Sequence, residues 1–397
     1  MLRLSTGSFA FRPTRPVPLA GYGRRTAPYE QIRDDLEAVF LRLTDENGGA
    51  VVLGSIDTLY LTDRSLSDIE QAVGGECAAL CLFATHTHTA PSLAPDLPLP
   101  CFGVHDCDWY RSVVSRCART IDGLAEASGE EVTLRYGEQA TDLNVNRRRH
   151  AWVFDYPALV RHGRVSAGWR IAQAPNRRGF VDRRIKALFL ENSSGDVRAV
   201  IWTFAAHPAF FPSWLAVFAD FPGLIRTALR RRFGADCAVV YLPGLAGSVI
   251  PKVPLRWPRT LSEAAMRLLP FYYTYSKFDE NGYRKWAAKL YSELLRAYDA
   301  RGPEAPVHGV SVRRTSVPGI FHARNGTAPP PHPQFRFLRV SLARGLDILA
   351  GSGEMLAEWM PCSSLRAGAA GSCFPAIWPD RLSMCQPRAS FRTAATK

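Results

Sequence analysis

In the stretch Thr85-His86-Thr87-His88-Thr89-Ala90-Pro91, two histidines stand two residues apart where an apolar run, residues 80–84, gives way to a proline-rich loop. On an extended strand such a pair projects to one face, with the imidazoles roughly 6–7 Å apart, so one could bind a metal while the other touches a substrate. An isolated His-x-His at a strand end is, taken alone, only a pair of surface histidines. Two further places change that reading. A second apolar run, residues 200–206, delivers His207 just before Pro208, and Gly351-Ser352-Gly353 sets the carboxylate of Glu354 at a turn expected to start a helix. Two imidazoles and a carboxylate are ligand types that zinc accepts.

Elements of the right period surround these residues. Residues 50–61 read as an apolar strand with Asp57 inside it, and a carboxylate buried there needs a partner. Residues 62–73 read as a helix capped by Asp63 or Ser65, 108–127 as a helix with apolar Val113, Val114, Ala118, Ile121 and Leu124, and 281–300 as an amphipathic helix. Strands are expected at 131–136, 238–242, 335–340 and 345–350, with a hairpin of 182–190 and 197–206 turning at 192–195. Residues 31–43 have the spacing of a strand or short helix, 1–18 read as a proline-rich arm, and 150–180 as a basic loop. Phe221-Pro222-Gly223 opens a helix, and the glycines of Gly244-Leu245-Ala246-Gly247 permit close backbone approach or simply make a tight turn. The loop 91–107 is long enough to frame a site.

Composition is that of an ordinary globular chain, and 397 residues can bury a large core in one domain or a few. The net charge of +13 is spread over several arginine clusters (147–149, 177–178, 183–184 and 230–232) with no recognisable nucleic-acid module, so no nucleic-acid partner is expected. A basic rim that draws in anionic substrates or an acidic lipid surface is compatible with it. No run is apolar for long enough to span a bilayer, and the start lacks the pattern of a secretory signal. Nine cysteines without metal-type spacing then suggest reduced thiols and a cytoplasmic setting.

Taken together and in order, Gly21-Tyr22-Gly23, Ile56-Asp57, Ala84 through Pro91, Asn144-x-Asn146-Arg147, Ala206-His207-Pro208, Asp220-Phe221-Pro222-Gly223, Gly244-x-x-Gly247 and Gly353-Glu354 resemble the catalytic domain of the neutral/alkaline, non-lysosomal ceramidases, over about residues 19–360. The resemblance implies a mixed α+β chain folded as one large domain, a layered α-β-β-α sandwich over 1–360. It implies a zinc-dependent amidohydrolase that cleaves an N-acyl bond of a ceramide-like lipid or a smaller amide. His86, His207 and Glu354 would ligate zinc, His88 would sit beside it to polarise the scissile carbonyl or the attacking water, and Arg147 would hold substrate oxygens. His105 and His162 are expected outside the site, and the aromatic stretch 271–275 would line an acyl tunnel or belong to the core.

The chain departs from the family in three ways. Gly247-Ser248 and Ile250-Pro251 stand where the family carries Gly-Asp and Asn-Pro, which removes a carboxylate near the site. The immunoglobulin-like domain that follows the family's catalytic domain is not expected in this sequence. The family's tyrosine-bearing segment should follow Glu354, yet no tyrosine occurs after Tyr298. Residues 358–397 are nearly free of acids, hold Cys362, Cys373 and Cys385, and show no strand or helix period. Residues 361–397 are therefore expected to be a disordered tail or one read in a shifted frame, since the code permits a tyrosine-bearing reading from Phe374 onward. Without that segment the chain would bind a ligand or zinc with impaired turnover.

Overall fold

Along residues 36–43 apolar side chains fall at nearly every position, and Leu36, Ala38, Val39, Phe40, Leu41 and Leu43 are all buried. A strand that is apolar on both faces must be covered on both. Ala38 and Phe40 join one cluster of buried side chains, whereas Val39, Leu41 and Leu43 join another. That division runs through the whole architecture. The computed structural model describes residues 1–22, 25–75, 78–97, 106–154, 163–164, 166–213, 215–254, 260, 261, 264, 279–318 and 334–359, and the backbone of 372–378.

The main sheet has eight strands in the spatial order β12 (Ala238–Pro243), β10 (Val197–Phe204), β9 (Arg184–Asn192), β6 (Glu130–Ala140), β1 (Leu2–Phe11), β3 (Leu36–Asp45), β4 (Ala50–Ile56) and β5 (Ala79–Ala84). Four helices cover its outer face. Of these, α1 (Asp63–Ala72) and α2 (Cys107–Glu126) pack through Ile69, Trp109 and Val113. The other two, α3 (Asp220–Phe233) and α4 (Glu280–Asp299), pack through Phe221, Ile225, Tyr283 and Trp286. The inner face packs on a second sheet, β14 (Ser311–Pro318), β15 (Gln334–Ala343), β16 (Leu346–Ser352) and β17 (Ser372–Trp378), through Leu338, Val340 and Ile348. A ribbon of β13 (Val249–Pro251), β7 (Asn144–Phe154) and β8 (Ala167–Asn176), and a two-residue pair, β2 (Gln31–Ile32) with β11 (Ala216–Val217), complete the strands. The expected mixed α+β layered single domain is borne out, and the described residues supply its helix, sheet and sheet layers in that order.

Two strand pairs of the main sheet are parallel, β4 with β5 and β10 with β12. A parallel neighbour cannot be reached by a tight turn, so each pair is joined across a helix, α1 and α3 respectively. The sheet curls until β12 lies against β3, β4 and β5, as a strongly twisted sheet of this size must. Curling brings the carboxyl ends of β5 and β10, far apart in strand order, to one rim.

Several sequence expectations are corrected. The His-x-His pair lies beyond β5 rather than on a strand. The cap of α1 is Thr62: its hydroxyl accepts from the Ser65 backbone N–H at 3.3 Å, and the Ser65 hydroxyl accepts from the Thr62 N–H at 3.2 Å, a reciprocal box in which Asp63 and Ser65 are the first and third helical residues. For residues 31–43, whose spacing fits a strand or a short helix, the strand reading holds. The arm at the start is β1, in the middle of the sheet. Much of the basic loop at 150–180 is the antiparallel pair β7–β8. Glu354 leads into a 3-10 turn at Ala357–Trp359. In the tail, Ser372–Trp378 runs parallel to β16 despite its lack of period, because an edge strand is held by backbone hydrogen bonds that need no side-chain pattern.

Asp57 has the partner its burial required. The guanidinium of Arg226 donates to its Oδ2 at 2.7 Å, as does the Glu37 backbone N–H at 2.9 Å. Arg226 also pairs with Glu37 at 2.9 Å, and Arg230 grips Glu37 with both terminal nitrogens at 2.6 and 2.8 Å. Two carboxylates and two arginines thus join β3 and the end of β4 to α3.

Candidate metal centre

After β5 the chain turns sharply. The Thr85 N–H donates to the Ile56 carbonyl at 2.9 Å, and His86 then adopts a left-handed backbone with φ 64°. A non-glycine residue held there carries strain that only surrounding structure can maintain, a condition common at functional sites. The Nδ1 of His86 lies 2.9 Å from the Leu59 carbonyl, which fixes the ring and turns Nε2 inward. His88 is held in the same way, with Nδ1 3.1 Å from the carbonyl of Gly21. Gly21 has φ 110°, and any Cβ there would overlap the His88 ring, so this position calls for glycine. The backbone N–H of His88 donates to the Pro208 carbonyl at 3.1 Å, tying the first histidine loop to the second. Beyond β10, the His207 N–H donates to Val249 at 3.1 Å, and its Nδ1 lies 3.4 Å from the Ala246 carbonyl.

A carbonyl oxygen can only accept, so each of these contacts assigns the ring proton to Nδ1 and leaves a lone pair on Nε2. All three Nε2 atoms then face one small space. Ligand nitrogens of His86, His88 and His207 lie within 4.8 Å of one another, and the Nε2 atoms of His88 and His207 are 3.0 Å apart. Two lone pairs at that distance repel unless a cation or a proton sits between them. The proton is disfavoured, because burial lowers the pKa of His86 and, more strongly, those of His88 and His207, with the nearby Arg147 charge acting in the same direction. The Nε2 of His86 is buried and has no hydrogen-bond partner. Three neutral imidazoles with inward lone pairs, one of them orphaned, fit a divalent metal ion.

The carboxylate comes from the second sheet. Glu354 lies just past β16, with Oε1 3.3 Å from His207 Nδ1 and Oε2 3.9 Å from His86 Nε2. Arg147, from β7, donates through one terminal nitrogen to Glu354 Oε1 at 3.1 Å and to the Gly247 carbonyl at 2.8 Å. Gly247 in turn donates to the Met355 carbonyl at 2.9 Å, and a Cβ on Gly247 would press on the backbone oxygens of Glu354 and Met355. The close approach expected of this glycine loop is real, and its object is the segment that carries Glu354.

His86, His207 and Glu354 therefore converge, and His88 stands among the inward nitrogens rather than behind them. Arg147 reaches the site but is turned toward Glu354. His105, His162 and the aromatic stretch 271–275 lie outside the described residues. Several participants had no readable signal. Tyr60 sets its ring 5.1 Å from His86, and Arg25, its pKa lowered by burial to about 10, donates to the His88 carbonyl at 2.7 Å, while Tyr22, part of the Gly21-Tyr22-Gly23 motif, sets its ring 5.1 Å from His88. Glu358 is the other surprise. Its carboxylate accepts from Ser248 Oγ at 2.6 Å and from Asn146 at 2.9 Å, so a carboxylate returns to the place that Ser248 had left without one.

The chain is similar in structure to neutral ceramidase from Pseudomonas aeruginosa, with a TM-score of 0.68 at 13% identity over 96% of this chain and 68% of that one. A ceramidase complexed with C2 aligns with a TM-score of 0.66 at 14% identity, over 96% and 69%. No family model and no curated protein matches the sequence. The chain has a ceramidase-like fold.

Proposed function

We propose that this protein is a zinc-dependent amidohydrolase that cleaves the N-acyl bond of a ceramide-like lipid or a smaller amide. The observation that carries the proposal is the cluster of His86, His88 and His207, whose ligand nitrogens lie within 4.8 Å of one another in a ceramidase-like fold, with the Glu354 carboxylate beside it, 3.3 Å from His207 Nδ1 and 3.9 Å from His86 Nε2. His86, His207 and Glu354 are the ligands. A zinc ion held there supplies a nucleophile from water near neutral pH and polarises the scissile carbonyl. His88, its proton fixed at Nδ1 by the Gly21 carbonyl, presents Nε2 to take a proton from the attacking water and return it to the leaving amine. Arg147 orients Glu354 through one nitrogen and offers its other N–H groups to substrate oxygens. Substrates are small amides or lipids. Among the described residues no helix is long and apolar enough to cross a membrane.

The test is to measure zinc content and N-acylsphingosine hydrolysis by the purified chain. Near-stoichiometric zinc and fatty-acid release, both lost in His86→Ala, support the reading. Activity that survives thorough chelation and the His86→Ala change overturns it. A second reading, binding of zinc or ligand with impaired turnover, is favoured by the lack of tyrosine after Tyr298. It predicts full zinc occupancy with turnover near background, since loss of one oxyanion donor costs on the order of 10²–10³ in rate.

A further inference from the structure

The ribbon β7–β8 leaves the metal centre and carries an exposed aromatic face. Antiparallel pairing sets Trp152 directly opposite Trp169 and His150 opposite Ile171, so these four side chains share one side. The other side is closed by buried Val153, Ala172 and Ala174. Trp152 and Trp169 are 60% and 64% exposed, and Ile171 beside them is exposed as well. An outward tryptophan pair on a two-stranded ribbon has no role in the core, and contiguous exposed apolar surface marks a contact site. Charge identifies the partner. Residues 144–180 hold eight arginines against a single acid, Asp155, which is more than half of the net +13. Folding gathers what is separate in the sequence, with Arg148 on the side of β7 that carries His150 and Trp152, and exposed Arg177 and Arg178 just past the end of β8. Amphipathic indoles amid arginines suit the boundary of an anionic bilayer, where the rings sit at headgroup depth and the guanidinium groups meet phosphate.

We propose that the β7–β8 ribbon docks this protein on anionic phospholipid surfaces, with Trp152 and Trp169 entering the interface. Docking by this ribbon holds the metal centre near the bilayer, because Asn146 and Arg147 at the base of β7 bond Glu358 and Glu354. The contact itself requires neither metal nor turnover, so it stands or falls apart from the catalytic reading.

Co-sedimentation of the full chain with vesicles of phosphatidylcholine alone, or mixed with phosphatidylserine, reads it directly. Binding is expected to the mixed vesicles and to weaken as salt rises. The double variant Trp152→Ala/Trp169→Ala should bind at least about tenfold more weakly. Arg177→Gln and Arg178→Gln should each cost about fivefold. Unchanged melting temperatures would show that these exposed substitutions leave the fold intact. Equal binding by the tryptophan variant overturns the proposal, as does binding that ignores phosphatidylserine. It also fails if the tryptophans govern only self-association, which would make the occupant a second copy, or only retention of a single-stranded oligonucleotide.

Discussion

The carboxylate–arginine cluster at Asp57 and the histidine cluster at His86 are both buried at strand ends of the same curled sheet, yet they dispose of their polarity in opposite ways. Around Asp57, Arg226 bridges Asp57 and Glu37 while Arg230 grips Glu37, so each of these acids has a cation at hydrogen-bond distance. Around His86 burial disfavours the proton, the backbone carbonyls orient the rings, the Nε2 atoms of His88 and His207 face each other at 3.0 Å, and His86 Nε2 is left without a hydrogen-bond partner. The first arrangement balances its charges, although Asp57 Oδ1 has no hydrogen-bond partner, and acts as a brace between sheet and helix. The second groups three histidines that could hold a metal ion. A cluster whose charges cancel reads as structural, and one with a ligand atom left over reads as a candidate binding site.

The largest effect that would sharpen this contrast is His86→Ala, which should abolish stoichiometric zinc and take turnover to background, since even losing a partner behind a ligand costs about 10–100-fold in metal affinity. Metal analysis of the purified variant checks it. Arg226→Ala should do the reverse: it strands Asp57 and part of Glu37, costs about 3–5 kcal/mol in urea unfolding, and leaves zinc per folded molecule unchanged. Zinc loss in that variant would erase the distinction between the clusters. His88→Ala should lower turnover by about 10²–10⁴ while zinc content falls less. Equal zinc loss in His86→Ala and His88→Ala would move His88 into the ligand set, as the 3.0 Å separation of its Nε2 from that of His207 invites.

The smallest effect concerns pH. Burial raises the pKa of Asp220 to about 6, although the Tyr283 hydroxyl donates to it. The folded state then holds this proton more tightly than the unfolded state, so stability falls as pH rises from about 4 to 6. Asp220→Asn should remove that slope and add on the order of 3 kcal/mol above pH 7. The metal-free histidines act with opposite sign. Their pKa values are lowered on folding, so the apoprotein should lose stability as pH falls through about 6.5. Thermal melting of wild type and variant across pH measures both.

The sequence disclosed the types of site residue better than their settings. His86, His207 and Glu354 were legible because each ends an apolar run, and strand ends share a rim. The left-handed turn at His86 was not, since neither Thr85 nor Thr87 signals it, and the pattern alone placed the motif on the strand. Asp57 announced that it needed a partner but not which one, because Arg226 lies 169 residues away and only the fold supplies it. β7–β8 passed for a loop because its outward face is aromatic and basic, while its inward face is mostly alanine, so the usual alternation of apolar and polar residues is inverted. Glu358 could not have been foreseen from Ser248, which gives no sign of which distant carboxylate it will meet.

The donors come from different layers, the histidines from the curled sheet and Glu354 from the sheet inside it. During synthesis His86 and His207 emerge long before their carboxylate, and a chain halted before residue 354 cannot assemble the set. On the proposed ligand set, metal capture would be a late event in the life of the molecule, one that certifies that the inner sheet has docked. An ion held by that finished state would raise the cost of undocking, and a chelator would remove that contribution.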